Sequence, residues 1–161
     1  MKCTIRNMNK EDINQVQTVA KTSWNSTYEG IIPLELQERF LNTAYSDEMM
    51  VKRLNGSSLY VAEIGGEIVG FANFSPVREN REVELGAIYL LPEYQGKGIG
   101  TALLQEGIKN VNGAKSVKIS VEKENKSGTN FYHAKGFEVL SEFDDNLEGH
   151  ITKMLRMALP L

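Results

Sequence analysis

The sequence predicts a single domain over residues 1–161, of mixed α/β or α+β class. Three observations lead there. Strand-like and helix-like segments follow one another in the order β-αα-ββ-β-α-β-α-ββ, with no internal repeat, low-complexity tract or linker. Gly65-Gly66 separates two apolar, β-branched runs and reads as a two-residue hairpin turn. Finally, Gly96, Gly98 and Gly100 stand between a strand and a helix, and the unit from Val83 to Val121 is expected to be a right-handed parallel crossover. A chain of 161 residues, 41% hydrophobic and 24% charged, can bury a substantial core.

Taken in order, Lys2 to Arg6 is a short first strand. The acids after Asn9 open a helix that runs to about Thr27, with Ile13, Val16, Val19, Ala20, Ser23 and Trp24 at helical spacing. Gly30 and Pro33 break it. A second helical zone, Leu34 to Leu54, falls in two pieces around Tyr45-Ser46-Asp47. The hairpin strands are Ser58 to Ile64 and Glu67 to Phe74, and a polar loop, SPVRENRE, follows them. Val83 to Leu90 is the next strand, and the glycine run starts a helix to about Val111. Ser116 to Val121 alternates as SVKISV and reads as a strand. Ser127 to Lys135 is a short helix stopped by Gly136. Two strands close the chain, Phe137 to Phe143 and His150 to Ala158, joined by the polar segment DDNLEG.

Composition narrows the function. With 18 Lys+Arg against 21 Asp+Glu, the net charge of −3 argues against a nucleic-acid partner. The polar start MKCTIRNMNKED and the lack of a membrane-length apolar run argue against a signal peptide or a membrane span, so a cytoplasmic protein is expected. The single cysteine, Cys3, cannot form an internal disulfide and reads as a small buried hydrophobe. No metal is expected, because Cys3, His133 and His150 form no ligand pattern.

The glycine run has three possible readings as a phosphate motif. A dinucleotide-binding fingerprint starting at Gly96 needs glycine where Thr101 stands, and a P-loop needs Ser or Thr where Gly98 follows Lys97. Both fail. What remains is Gln95-x-x-Gly98-x-Gly100, with a strand before, a helix after and a Pro92-Glu93-Tyr94 corner. This resembles motif A of the GNAT superfamily of acyl-CoA-dependent N-acetyltransferases. Downstream, Asn125-x-x-Gly128-x-x-Phe131-Tyr132-x-x-x-Gly136-Phe137 resembles the second motif of that family, where alanine commonly stands at the place of Gly128. The two motifs cover roughly Glu84 to Phe137, and the upstream hairpin and first helix match the family order. The resemblance weakens in the N-terminal acceptor region.

That resemblance implies a mixed, mostly antiparallel central sheet with a splayed parallel strand pair, flanked by helices. It implies acetyl-CoA as cosubstrate. Pantetheine would pair with the backbone of Ile88, Tyr89 and Leu90, whose free strand edge offers N–H and C=O groups. The pyrophosphate would lie over Gly96, Lys97, Gly98, Ile99, Gly100 and Thr101, where backbone amides and the positive end of a helix suit an anion. Gln95 replaces an arginine common in relatives and keeps hydrogen bonding without the charge. Lys97 either restores charge near the phosphates or is an ordinary solvated lysine. Asn125 would hold amide groups of the cofactor, a role compatible with capping the next helix.

The chemistry implied is acetyl transfer to a small-molecule or peptide amine by direct attack in a ternary complex. An alkyl ammonium with a pKa of ~10.4 must lose a proton before it can attack, so a general base is required. A backbone N–H near Tyr89 or Leu90 is the implied oxyanion donor. Tyr132, seven residues after Asn125, matches the family tyrosine that hydrogen-bonds or protonates the leaving sulfur. Transfer from a phenol near ~10 to a thiolate near ~8.5 is uphill by only about 2 kcal/mol. Some relatives carry the basic glutamate five residues before the motif asparagine, where Ser120 stands here. Glu84, which corresponds to a position where relatives often have a glutamate that orders water, is the candidate base that the resemblance implies; it lies on the face of Gly86 and Ile88 by period-two alternation, with Glu82 nearer the loop. His133 reads as a surface residue, and His150 either lines the acceptor end or is a plain strand residue. Trp24 and Tyr28 either line a pocket for a cationic amine or belong to the core. Glu29 is a further carboxylate in that region. A catalytically silent CoA-binding module is the rival reading, another acyl donor is a third, and a homodimer through the C-terminal strands is possible.

Overall fold

The computed structural model describes residues 2–161. Its strands are β1 (Cys3–Asn7), β2 (Ser58–Ile64), β3 (Glu67–Phe74), β4 (Glu82–Leu90), β5 (Ser116–Glu122), β6 (Glu138–Leu147) and β7 (His150–Pro160). Its helices are α1 (Ile13–Thr27), α2 (Leu34–Ala44), α3 (Asp47–Gly56), α4 (Ile99–Lys109) and α5 (Lys126–Ala134). The strands form one sheet in the order β1-β2-β3-β4-β5-β7-β6. Every neighbouring pair is antiparallel except β4 and β5, which are parallel. This is the mixed, mostly antiparallel sheet with one parallel pair that the family resemblance implies.

The sheet is apolar on both faces because both are covered. β3 (EIVGFANF) is buried from Ile68 to Phe74, as a central strand between two helical layers must be. On one face α1 and α2 pack Val16, Val19, Trp24 and Leu41 against Val61 and Phe71. On the other, α4 packs Ile99, Leu103 and Leu104 against Phe74, Val83 and Val117. α4 approaches β3 closely at Gly107, where a side chain would run into the ring of Phe74. Gly65 and Gly66 both adopt positive φ (58° and 82°), as a two-residue hairpin turn requires.

Most element ends fall within a residue or two of the sequence reading, and two differences bear on the argument. β6 continues through Asp144, Asp145 and Asn146 to Leu147, so the connecting segment is only the Glu148-Gly149 turn, both residues left-handed. A polar strand survives there because β6 is the edge of the sheet, where charged residues are tolerated, and Lys153 on β7 meets Asp144 at 2.9 Å. β5 runs one residue beyond Val121, to Glu122. Among the described residues no helix is long and apolar enough to cross a membrane.

Candidate active site

The site begins with an extra residue in β4. Asn73 pairs with Ala87 but Phe74 pairs with Leu85, so Gly86 is a bulge. The bulge reverses the alternation of the strand. Val83 and Leu85 belong to the α4-side core, whereas beyond Gly86 it is Ile88 and Leu90 that face that core, and Ala87 and Tyr89 face the α1 side. It also bends β4 away from β5. The two pair only at Glu82–Ser116, Val83–Val117 and Glu84–Lys118, and then diverge. Between them opens a cleft of about 620 Å³, walled by Leu85 to Leu90 on one side and Ser120 to Glu122 on the other.

Four kinds of group face this cleft. The first is strand edge. The Leu91 amide donates to the Val69 carbonyl (2.8 Å), and the antiparallel ladder alternates from there, so Tyr89 uses its backbone on β3. The N–H and C=O of Ile88 and Leu90 point the other way, into the cleft. The ring of Tyr89 packs against Phe71 in the α1-side core (centroids 5.6 Å).

The second is the start of α4. Gly98 caps the helix at φ 83° without a side-chain cap, and Ala102 is the first amide bonded back into the turn, to Gly98 O at 3.1 Å. The amides before it are orphan donors at the positive end of an eleven-residue helix, a cradle an anion fits. Gln95, Gly96, Gly98, Gly100 and Thr101 line the cleft. Ile99 turns into the core, and Lys97 lies with Nζ 5.5 Å over the ring of Tyr94, so neither side chain reaches the cleft.

The third is α5. Asn125 Oδ1 accepts from the Gly128 amide (2.9 Å) and caps the helix, leaving its Nδ2 donors at the cleft wall. Gly128 permits this: a Cβ there would lie 2.6 Å from Asn125 Nδ2. One turn further, Tyr132 enters the cleft, held edge-on between the rings of Phe131 (5.5 Å) and Phe137 (5.3 Å). Burial pushes its phenol well above the ordinary range, and the charge of Glu122 adds to the shift.

The fourth is a carboxylate that the sequence reading missed. Glu122 lines the cleft and accepts a hydrogen bond from the Tyr28 hydroxyl at 2.7 Å. Burial raises its pKa, and the Tyr28 hydrogen bond partly opposes the rise. Tyr28 reaches it because α1 ends there, the Tyr28 amide closing the helix on Trp24 O. Trp24 itself is core, stacked on Phe40 at 4.5 Å.

Glu84 is not among the cleft residues. The alternation that placed it with Ile88 is broken at Gly86, and Arg156 on β7 binds both its carboxylate oxygens at 2.7 Å, while also donating to Ser120 Oγ at 3.1 Å. Glu82 is likewise engaged, with Lys118 at 2.6 Å. His150 lies 3.0 Å from the Ile31 carbonyl and tethers β7 to the α1–α2 connection, while His133 and Glu29 are exposed.

Splayed strands, a helix start with free amides and a half-buried tyrosine all meet in this one cleft, an arrangement suited to an acyl-CoA cosubstrate. The acetyltransferase (GNAT) family model matches residues 20–137, and the chain belongs to that family: it is an acyl-CoA-dependent N-acetyltransferase with acetyl-CoA as its cosubstrate. The uncharacterized N-acetyltransferase YuaI of Bacillus subtilis is 36% identical over 151 residues, which cover 90% of this chain and 84% of that one. A spermidine N(1)-acetyltransferase of Thermoplasma acidophilum is 31% identical over 147 residues, 86% of this chain and 90% of its own. Among solved structures, the PaiA N-acetyltransferase of Thermoplasma acidophilum in complex with coenzyme A superposes with a TM-score of 0.87 at 27% identity, over the whole of both chains.

Proposed function

We propose that the protein acetylates a primary amine of a small polyamine-like molecule, by direct attack inside the cleft between β4 and β5. The observation that carries this is the convergence of three features on one cavity: the free edge of Ile88 and Leu90, the open amides of α4 and the Tyr132 hydroxyl. Likeness to a spermidine acetyltransferase along most of both chains supports a polyamine-like acceptor.

In this reading Ile88 and Leu90 bind pantetheine as an added strand would. The amides of Gly96 to Thr101 hold the pyrophosphate, with Gln95 adding a hydrogen bond and Lys97 only diffuse charge. Asn125 offers Nδ2 to a cofactor carbonyl. A free N–H of β4, at Ile88 or Leu90, stabilises the oxygen of the thioester carbonyl as negative charge gathers there. Tyr132 donates its proton towards the sulfur as the C–S bond breaks and the C–N bond forms. It recovers one, through water, from the nitrogen that becomes the amide. The burial that keeps Tyr132 protonated also disfavours a bare thiolate beside it, so donor and acceptor shift together. We further read the protein as cytoplasmic and as able to pair through its C-terminal strands, where Val139, Leu140, Phe143 and Ile151 are exposed.

The test is thiol release from acetyl-CoA with spermidine, propylamine and a short peptide as acceptors. Amine-dependent release, fastest with spermidine, is expected. Binding of acetyl-CoA with no release for any amine would leave a silent CoA-binding module instead.

A further inference from the structure

Six carboxylates in the described residues are buried or half-buried: Asp12, Glu63, Glu82, Glu84, Glu106 and Glu122. Five have a cation. Asp12 and Glu63 share Arg6, Glu82 has Lys118, Glu84 has Arg156, and Glu106 has Lys109 at 3.9 Å. Glu122 has none among the described residues. The lysines nearest to it in the sheet are turned elsewhere, Lys123 to Glu142 at 3.1 Å and Lys153 to Asp144 at 2.9 Å. A carboxylate taken out of water without a positive partner is costly, and it persists where function requires it.

We propose that Glu122, positioned by the Tyr28 hydroxyl, is the carboxylate that binds the acceptor ammonium and takes its proton. The proposal rests on the amine-acetyltransferase reading and deepens it. Glu122 sits on the β5 wall, on the α1-side face with Lys118 and Ser120, while Val117, Ile119 and Val121 face the other core. The same cavity contains Tyr132, so base and acid stand on one cleft. Oε1 takes the Tyr28 hydroxyl, and beyond the backbone amide of Glu122 itself no other side chain donates to the carboxylate among the described residues, which leaves it able to take an N–H⁺ donor.

The ionisable groups around Glu122 are Tyr28 from α1, Tyr89 from β4, Tyr132 from α5 and Asp145 from β6. None is cationic, so an incoming ammonium supplies the missing charge. The ammonium gives one proton to Glu122, and its freed lone pair forms the C–N bond. As the C–S bond breaks, the sulfur departs with the proton from Tyr132. Tyr132 is replenished through water by the second N–H proton, and Glu122 releases its own to solvent. A base drawn upward towards working pH by burial is better matched to that task than an exposed carboxylate.

The experiment compares wild type, Glu122→Gln and Tyr28→Phe. Spermidine and propylamine are titrated calorimetrically into CoA-saturated protein, and acetyl transfer is followed against pH. A thermal shift with CoA confirms that each variant is folded and loaded. Glu122→Gln should bind both amines about tenfold or more weakly, the scale of a charge-assisted hydrogen bond. Its kcat/KM should drop ~10²–10⁴-fold and lose the acidic limb of the pH profile. Tyr28→Phe should keep that limb but move it to higher pH, because the hydrogen bond favouring the ionised carboxylate is gone. Amine binding and turnover within about threefold of wild type in Glu122→Gln, or no amine binding to CoA-loaded wild type, overturns the proposal. Amine binding that depends on Glu122 without any thiol release in wild type would instead overturn the transferase reading alone.

Discussion

Tyr132 and Glu84 make opposite predictions at the scale of single residues. Tyr132 has a hydroxyl in the cleft and a ring held by Phe131 and Phe137, so Phe preserves the packing and removes only the donor. Tyr132→Phe is expected to lower kcat by ~10²–10⁴-fold with CoA affinity nearly unchanged. Steady-state turnover beside a CoA titration checks this, and unchanged turnover would remove Tyr132 from the chemistry. Glu84 is gripped through two short hydrogen bonds by Arg156, across β5. Glu84→Gln is expected to cost about 1–3 kcal/mol of stability, read as a drop in melting temperature. A variant that folds as tightly as wild type yet turns over slowly would return the base to Glu84.

Elements are tied together by ion pairs whose pH dependence has a definite sign. Arg6 on β1 joins Asp12, at the entry of α1, and Glu63 on β2. The Arg6 hydrogen bonds, aided by the Asn9 amide, hold the Asp12 carboxyl below the usual range against its burial. A depressed folded pKa stabilises fully above the unfolded value of ~3.9 and is lost as pH falls through the folded one. Unfolding free energy by urea should therefore fall below about pH 4. Asp12→Asn should lower stability at neutral pH and flatten that acid loss, and an acid profile unchanged by the substitution would contradict the pairing.

Across the whole molecule, what could be read from the sequence was what is local in it. The Gly65-Gly66 turn, the glycine run and the Asn125-to-Tyr132 spacing each declare themselves within a few residues, and with them came the sheet, the crossover and the face of the cleft carrying Tyr132. The other wall was less legible. The family resemblance implies a bulge in this strand, and Gly86 within VELGAIYL is the kind of residue that marks one, but period-two alternation carried straight through it puts Glu84 and Ile88 on one face, whereas the bulge puts them on opposite faces. Glu122 was missed by one residue, although extending SVKISV by its own period puts Glu122 on the face of Ser120. Its partner Tyr28 lies 94 residues away, and only the end of α1 brings them together. Lys97 and Ile99 are likewise separated from the cleft by side-chain packing that the motif does not encode.

The claim on which the rest depends is that the gap between β4 and β5 is an acyl-CoA site. A thermal-shift titration with acetyl-CoA, beside NAD and ATP, tests it most directly. At about 100 times its dissociation constant, acetyl-CoA should add ~2.7 kcal/mol, a rise of several degrees for a chain of this size, with little change for NAD or ATP. No rise at saturating acetyl-CoA, or an equal rise for all three, would contradict the account.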